Sequence, residues 1–494
     1  MLSGSKKSTL FIALLTGIVL LNGTIAIAKD IALPPATISQ QETWVYTPTT
    51  KTLATQAVFP DKAWWQASGD PYLIATLEAV LANNNELKGS QAKLLESRAL
   101  IRETLGGAFP SLTINPSGVR QKNSANLIVP SRAQLSGNGP RLFAPGATIN
   151  TYSLPLQASW EPDVWLRTLD ATQLAKQTLE QSVQDQHQLH VLLITDAATA
   201  YWNLIGIDAQ LLCLEKALHL AADRLTLEED RLQAGLINGE TIEQAKANRI
   251  VLEQQVVQLL TQQATFQNQL AVLMGKTPAQ TAQWPRLSYS QWVESPAASL
   301  TDTLSVGVPL EVITRRPDLL KAEAQLKAQA LQVRLARKAF LPTFNLTGQY
   351  GYASTQLSNW LTQSSNLWNI GGNAAIGLFE GGTKWYRLKR EKAIQEQTVA
   401  NYQHAVLTAL GDVENSLATV QSAMILATEE AQRLQATTQQ TSYQQDRVQA
   451  GLLAQADLLP QEQAIAQGEQ ALVQQRIAAA VARVGVYKAL GGGY

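Results

Sequence analysis

The chain of 494 residues carries 39 lysines and arginines against 39 aspartates and glutamates, a formal net charge of zero. With no basic tail or stripe to neutralise phosphates, nucleic-acid binding is set aside. The only cysteine, Cys213, excludes an internal disulfide; spaced helically among Leu211, Leu212 and Leu214, it reads as a small buried apolar residue.

Lys6 and Lys7 precede an apolar run that closes on Ala26, Ile27 and Ala28. Residues 1–28 therefore read as a cleaved signal peptide, with the mature chain starting near Lys29. The run from Gly4 to Ser8 lacks the spacing of a phosphate loop. No later apolar run approaches the ~20 residues of a membrane helix.

Segments of period two follow. The first, from Ser111, is short. In the second, Tyr152, Leu154, Leu156, Ala158 and Trp160 share one face while Thr151, Ser153, Gln157 and Ser159 share the other. Between them, residues 116–149 are rich in Gly, Pro, Ser and Asn and read as an exposed loop. Later, Phe344, Leu346, Tyr350 and Tyr352 oppose Asn345, Thr347 and Gln349, and Trp368, Ile370, Ala374, Ile376 and Leu378 oppose Asn369 and Asn373. One apolar face, one polar face and aromatic residues near the ends make the pattern of transmembrane β-barrel strands. A soluble sandwich or edge hairpin would explain any one strand alone.

From Leu166 to Gly235 there is no proline and one internal glycine, Gly206; from Lys384 to Gly451 there is no proline and one internal glycine, Gly411. Continuous helix over ~70 residues is about 105 Å long, so these segments read as rods. Beyond Gly235, the residues Ile242, Ala245, Leu252, Val256, Leu259, Phe266, Leu270 and Leu273 fall on a heptad seam, which predicts coiled-coil packing. Gly235 and Gly451 are placed as left-handed stops where each rod doubles back.

The two rods are copies. RLQAGL from Arg231 recurs as RVQAGL from Arg447, and at the same offset Asp196 meets Asp412, Glu180 meets Glu396 and Gly275 meets Gly491. FPSLTI from Phe109 likewise matches LPTFNL from Leu341. The internal two-fold repeat divides the chain into the signal peptide 1–28, a segment 29–72, a first repeat 73–275, a linker 276–312 and a second repeat 313–494. The first repeat holds a β-hairpin at about 109–162 and a helical tip near 235; the second holds a hairpin at about 341–379 and a tip near 451. Four strands cannot close a barrel, whose smallest membrane form has about eight. Two chains would give eight strands and a filled lumen, whereas three would give twelve and room for water. Three is favoured, because a helical tunnel leading to a plugged barrel conducts nothing.

The runs RRPDLLKAEAQLKAQALQVRLARKAFLPTFNLTGQYGY from Arg315, GLFEGG from Gly377, ALGDVENSLA from Ala409 and YKALGGGY at the C-terminus closely resemble the outer-membrane factor family. These are the TolC-like channels, here the branch that serves resistance-nodulation-division efflux pumps. The resemblance covers nearly the whole mature chain and implies a mixed α and β membrane protein. Its homotrimer would carry a twelve-stranded outer-membrane β-barrel, four strands per chain, continued by a long periplasmic α-helical coiled-coil barrel. An equatorial belt would draw on residues 29–72, 276–312 and the C-terminus. The family implies passive export of drugs and other small molecules, with an inner-membrane resistance-nodulation-division pump, a periplasmic adaptor and outer-membrane lipid as partners and no cofactor. A duct for secreted proteins or metal ions shares the fold, although a chain with only three methionines argues against a soft-metal relay. A soluble periplasmic coiled-coil scaffold is the alternative of a different class.

Three departures from the family pattern stand out. No cysteine precedes Cys213, where many relatives carry a lipidated one at the mature N-terminus, so a lipid anchor is not expected. EPDVWLR from Glu161 replaces the usual ELDLFGR, with Pro162 and Leu166 in place of leucine and glycine. In the family the pore narrows where carboxylates just after the second Gly-Leu turn form a ring; here those two places hold Asp457 and Pro460. The resemblance thus implies a constriction lined by Asp457, with Glu240 and Glu243 in the matching part of the first half. The tip residues Arg231, Gly235, Leu236, Arg447, Gly451 and Leu452 are assigned to adaptor docking. Elsewhere, Pro317 and Asp318 of the RRPD run read as ordinary helix-start chemistry. His187 and His190, three apart, lack further ligands for a metal. With no nucleophile beside a base, the chain does not read as an enzyme.

Overall fold

The computed structural model describes residues 64–122, 124, 126, 146, 148–294 and 309–492. The signal peptide and residues 29–63 lie outside the described residues. A 3-10 turn, Trp64–Ser68, opens the described chain and is followed by two helices, α1 (Pro71–Asn83) and α2 (Asn85–Gly106). Strands β1 (Ser111–Ile114), β2 (Ser117–Lys122) and β3 (Thr148–Trp160) follow. Then come the rod α3 (Arg167–Gln233) and the return helix α4 (Gly239–Leu273). The second half repeats the order with α5 (Pro317–Lys338), β4 (Thr343–Ser354), β5 (Asn366–Ala375), α6 (Thr383–Gln449) and α7 (Leu459–Leu490). The rods α3 and α6 have 67 residues each, and α2 and α5 have 22 each. A 67-residue helix is about 100 Å long.

The sheet is antiparallel in the order β1/β2, β3, β4, β5, so β1/β2 and β5 are its free edges. One register carries β1 and β2 along β3, from Ser111 opposite Ser159 to Lys122 opposite Thr148, with a break only at Asn115 and Pro116. The reading of 116–149 as loop is therefore corrected. Residues Ser117–Lys122 are strand despite Pro116 and Gly118, because the regular partner β3 supplies their ladder. At the other end β5 stops at Ala375, so Ile376 and Leu378 are not strand residues. Pairing places Ile114, Leu156, Tyr350 and Trp368 side by side across the sheet, and Thr113, Gln157, Gln349 and Asn369 beside them on the opposite face. The two faces therefore alternate as the sequence spacing predicts.

The helices form lanes. Along α3 pack α2 and α4 on one side and α5 and α7 on the other, and α6 packs on α5 and α7. The expected seam of α4 is inside, with Ile242, Ala245, Leu252, Leu259 and Leu270 buried. Gly206 has a packing reason, since a Cβ there would lie 2.8 Å from Ile477 Cγ1 on α7. Gly411 faces open space and nothing in the structure explains it. Cys213 is buried, as expected.

The largest core lies around the middle of α3. Leu73, Leu77 and Val80 of α1 meet Leu193, Ile194, Tyr201 and Ile205 of α3, Met274, Trp292, and Ile477 and Val484 of α7. Two fully buried polar side chains there, Asp70 and Tyr201, are paired with each other, while the Trp64 and Trp202 ring N–H groups have no partner among the described residues. Asp70 caps α1 by accepting from the Tyr72 and Leu73 amides, and it also accepts from the Tyr201 hydroxyl at 2.8 Å. Burial and the neighbouring Asp70 carboxylate push the Tyr201 phenol far above its ordinary pKa, so it stays a donor. Arg286 forks onto Asp208 at 2.5 and 2.9 Å, tying the segment after α4 to the rod.

Where β3 turns into α3, Leu166 adopts φ 56 and ψ 41, the only non-glycine residue with positive φ among the described residues. The second half has Gly382 in the same role, at φ 81, before α6. Locks around Leu166 hold it there. Asp163 accepts from the Arg167 and Leu169 amides, Trp165 donates to the Pro342 carbonyl at 2.7 Å, and Lys338 donates to the Leu166 carbonyl at 2.9 Å. The departure from the family glycine thus leaves the turn in place and strains it. Left-handed backbone costs a non-glycine residue ~1 to 2 kcal/mol, offset in part by glycine's chain entropy. Leu166→Gly should accordingly raise unfolding free energy by about 0.5 to 1 kcal/mol, read by denaturant titration of the solubilised protein. A loss of stability would show that the leucine is not strained.

Candidate functional site at the helical tips

Both rods end by the same device. Gly235 and Gly451 each have φ 72, a conformation that a side chain would oppose. The Leu236 amide returns to the Arg231 carbonyl at 2.9 Å and the Leu452 amide to the Arg447 carbonyl at 2.8 Å, while the glycine amides bond to Leu232 and Val448. This is the Schellman closure of a helix, and the repeated RxQAGL run encodes it. Each closure leaves one leucine at the apex, Leu236 at 70% and Leu452 at 71% exposure. The two tips thus present the same large apolar side chain to solvent at equivalent points of the repeat.

The tips then diverge. Asn238 caps α4 by accepting from the Thr241 amide, and Glu240 and Glu243 stand exposed on the first turns. Glu243 is not a free charge, because Lys246 bonds it at 2.9 Å. At the second tip Ala456 and Leu458 are buried and pin a single 3-10 turn, Gln455–Asp457, ahead of α7. Asp457, between those anchors, is exposed and has no side-chain hydrogen bond or ion pair among the described residues. It stands before the helix rather than on its first turn, where Glu462 is the acid. Pro460 lies in that first turn.

The two tip arginines also differ. Arg231 bends back to Glu228 on its own helix at 3.3 Å, and that carboxylate is only 6% exposed. Arg447 is exposed with no partner among the described residues. The expected symmetry of the docking set therefore holds for glycines and leucines and fails for the arginines. Glu228 stands three residues before Arg231, a spacing that brings the two side chains together on the helix, but the burial of one acid on a rod leaves no mark in the sequence. Behind the tips, Asn248 of α4 donates to the buried Gln463 of α7 at 3.2 Å. That bond ties the two return helices together near the apex.

RRPD is structural in these contacts. Arg316 precedes Pro317 at the start of α5 and reaches Asp318, Asp412 and the carbonyls of Ala409 and Ala489. His187 lies 3.3 Å from Gln184, and no cluster of three metal-ligating side chains occurs among the described residues. Among them, too, no helix is long and apolar enough to cross a membrane.

A family profile described as outer membrane efflux protein matches residues 76–276 and 308–492. The chain belongs to that outer membrane efflux protein family. It is 28% identical over 440 residues to the pyoverdine export outer membrane protein OpmQ of Pseudomonas aeruginosa, covering 88% of each. To the cation efflux system protein CusC of Escherichia coli K12 it is 26% identical over 437 residues, 88% of this chain and 90% of the relative. The fold matches the CmeC outer membrane channel of Campylobacter jejuni with a TM-score of 0.76 at 22% identity, over 88% of this chain and 89% of that one. As an outer membrane efflux protein the chain has the architecture of TolC-like channels, mostly helical with one small sheet, and its place is the outer membrane. The matched residues include both tips.

Proposed function

We propose that this outer membrane efflux protein is the passive export duct of a tripartite pump, carrying drugs and other small molecules outward from a periplasmic adaptor and an inner-membrane resistance-nodulation-division pump. The observation that carries the reading is the sheet. It has one apolar face, one polar face and two unpaired edges, and unpaired edges cannot stay open in lipid. With β1 and β2 counted as one strand, since they share one register along β3, three copies joined edge to edge give twelve strands around a wet lumen, polar face inward. The equal rods and the two identical tip closures support a duplicated unit, and the outer lanes support lateral assembly. On one side Leu95, Val257 and Val272 are more than 60% exposed, and on the other Tyr443 is. No catalysis is assigned to the chain. Energy for transport would come from the pump.

In this reading the tips meet the adaptor through Leu236 and Leu452, and Asp457 lines the constriction with Glu240 as its nearby reserve. Glu243, neutralised by Lys246, contributes less than its position suggests. Subcellular fractionation separates the duct from a periplasmic scaffold. The duct is expected wholly in outer membranes, released only by detergent. Recovery in the osmotic-shock fluid would overturn the reading.

A further inference from the structure

Arg120 and Lys122 are the only charged residues on the described strands. Both are exposed, and neither has an acidic partner among the described residues. Register pairs them with Asn150 and Thr148. Counting by twos along the continuous β1/β2 ladder, they stand on the face of Leu112 and Ile114, opposite to Thr113 and Ser117. In the barrel reading, on which this inference rests, that is the lipid face. A cation there costs ~2 to 4 kcal/mol at mid-bilayer but only ~0 to 1 near the interface. Depth therefore decides what the pair does.

Two observations fix the depth. Ser111 lies just beyond the end of α2, at the helical end of the sheet. At ~3.3 Å per residue and ~40° of tilt, Arg120 is about 23 Å and Lys122 about 28 Å further along the barrel axis, against an apolar band of ~25 Å. The aromatic rings agree. Tyr152 spreads over Gly118, where a Cβ would meet its ring at 3.5 Å, and Trp360 stands 6.5 Å from Tyr152. Such a girdle marks the headgroup level.

We infer that Arg120 and Lys122 bind the phosphate groups of outer-leaflet lipid, one such site on each protomer. The side chains are ~7 Å apart on one face of one strand. A planar guanidinium forks onto phosphate oxygens while the ammonium adds a point charge. Simple snorkelling to any polar headgroup would be indifferent to phosphate, which separates it from this assignment.

The test uses the full-length protein and two probes, bis-phosphorylated lipid A and the same lipid without phosphates, in nanodiscs. Lipid retained after mild detergent stripping is read by native mass spectrometry. The parent should retain the phosphorylated form at least about fivefold better, the single variants Arg120→Gln and Lys122→Gln less so, and the double variant not at all selectively. Equal retention of both lipids by the parent, or undiminished selectivity in the double variant, overturns the site. Conductance of the same samples is measured alongside. A parent that forms no pore sinks the barrel reading and this inference with it; a parent that conducts without lipid preference sinks the inference alone. Should the double variant fail to insert, the parent's two-lipid comparison and the single variants still decide.

Discussion

Arg316→Ala is expected to lower unfolding free energy by about 3 kcal/mol, the low end for breaking a buried ion pair from one side. The Arg316 side chain is only 11% exposed. It bonds Asp318 at 2.7 and 3.0 Å, Asp412 at 3.2 Å, and the Ala409 and Ala489 carbonyls at 3.2 and 2.9 Å. One guanidinium thus joins the start of α5, the middle of α6 and the last turn of α7. Burial opposes its charge, but the bonds to Asp318 and then Asp412 outweigh this and hold it above its ordinary pKa. Gly491 leaves space for it, since a Cβ there would stand 3.0 Å from Arg316 Cγ. The low end applies because Asp412 is 48% exposed and rehydrates once abandoned. Denaturant titration should also show Arg316→Lys falling short of the parent, because an ammonium cannot fork onto a carboxylate and reach two carbonyls at once. Removing the charges together, as Arg316→Met with Asp318→Asn and Asp412→Asn, should recover part of the loss. An alanine variant within about 0.5 kcal/mol of the parent would show that the network is incidental.

Asp457→Asn should weaken cation preference in single-channel recordings by about fivefold and relieve block by divalent cations. At about 6 Å in water one carboxylate attracts a cation by about 0.7 kcal/mol, so three give about 2. Screening over ~8 Å roughly halves this. The remaining ~1 kcal/mol is the fivefold preference. The exposure of Asp457 between buried Ala456 and Leu458 supports a side chain turned to water. With Pro460 at the other acidic place and Glu243 paired to Lys246, Glu240 is the nearby acid left after the substitution. Unchanged ion preference and unchanged block would place Asp457 outside the pore.

The rods were legible almost to the residue because their limits are written in backbone chemistry. A glycine that must take positive φ can be recognised from its place after an uninterrupted helical pattern, as at Gly235 and Gly451. The same holds for the seam of α4, where burial follows the 3.5-residue period. Strand β2 was not legible, since Pro116 and Gly118 weaken local propensity and its pairing is dictated by β3. That omission hid Arg120 and Lys122, which on a loop would have had no defined face. Partners far apart in sequence were equally invisible. The Arg316 network spans three helices, and the Asp70 to Tyr201 bond crosses from the first capping residue to the middle of the rod. Leu166 could be flagged as a substitution at a glycine position, but its strain is read only from φ 56. At the tips, glycine and leucine roles followed from the repeat. The inequality of Arg231 and Arg447 did not, because a repeat implies equal roles and Glu228 breaks the equality.

In the proposed barrel a sheet with two free edges needs as many chains as close the ring, so bifunctional cross-linking of isolated outer membranes tests the trimeric duct most directly. The ladder on a denaturing gel should rise with reagent to a band of three chains and stop there, with no monomer left in the membrane fraction at saturation. A ladder ending at two chains, or membranes holding only monomers, would contradict the twelve-stranded barrel.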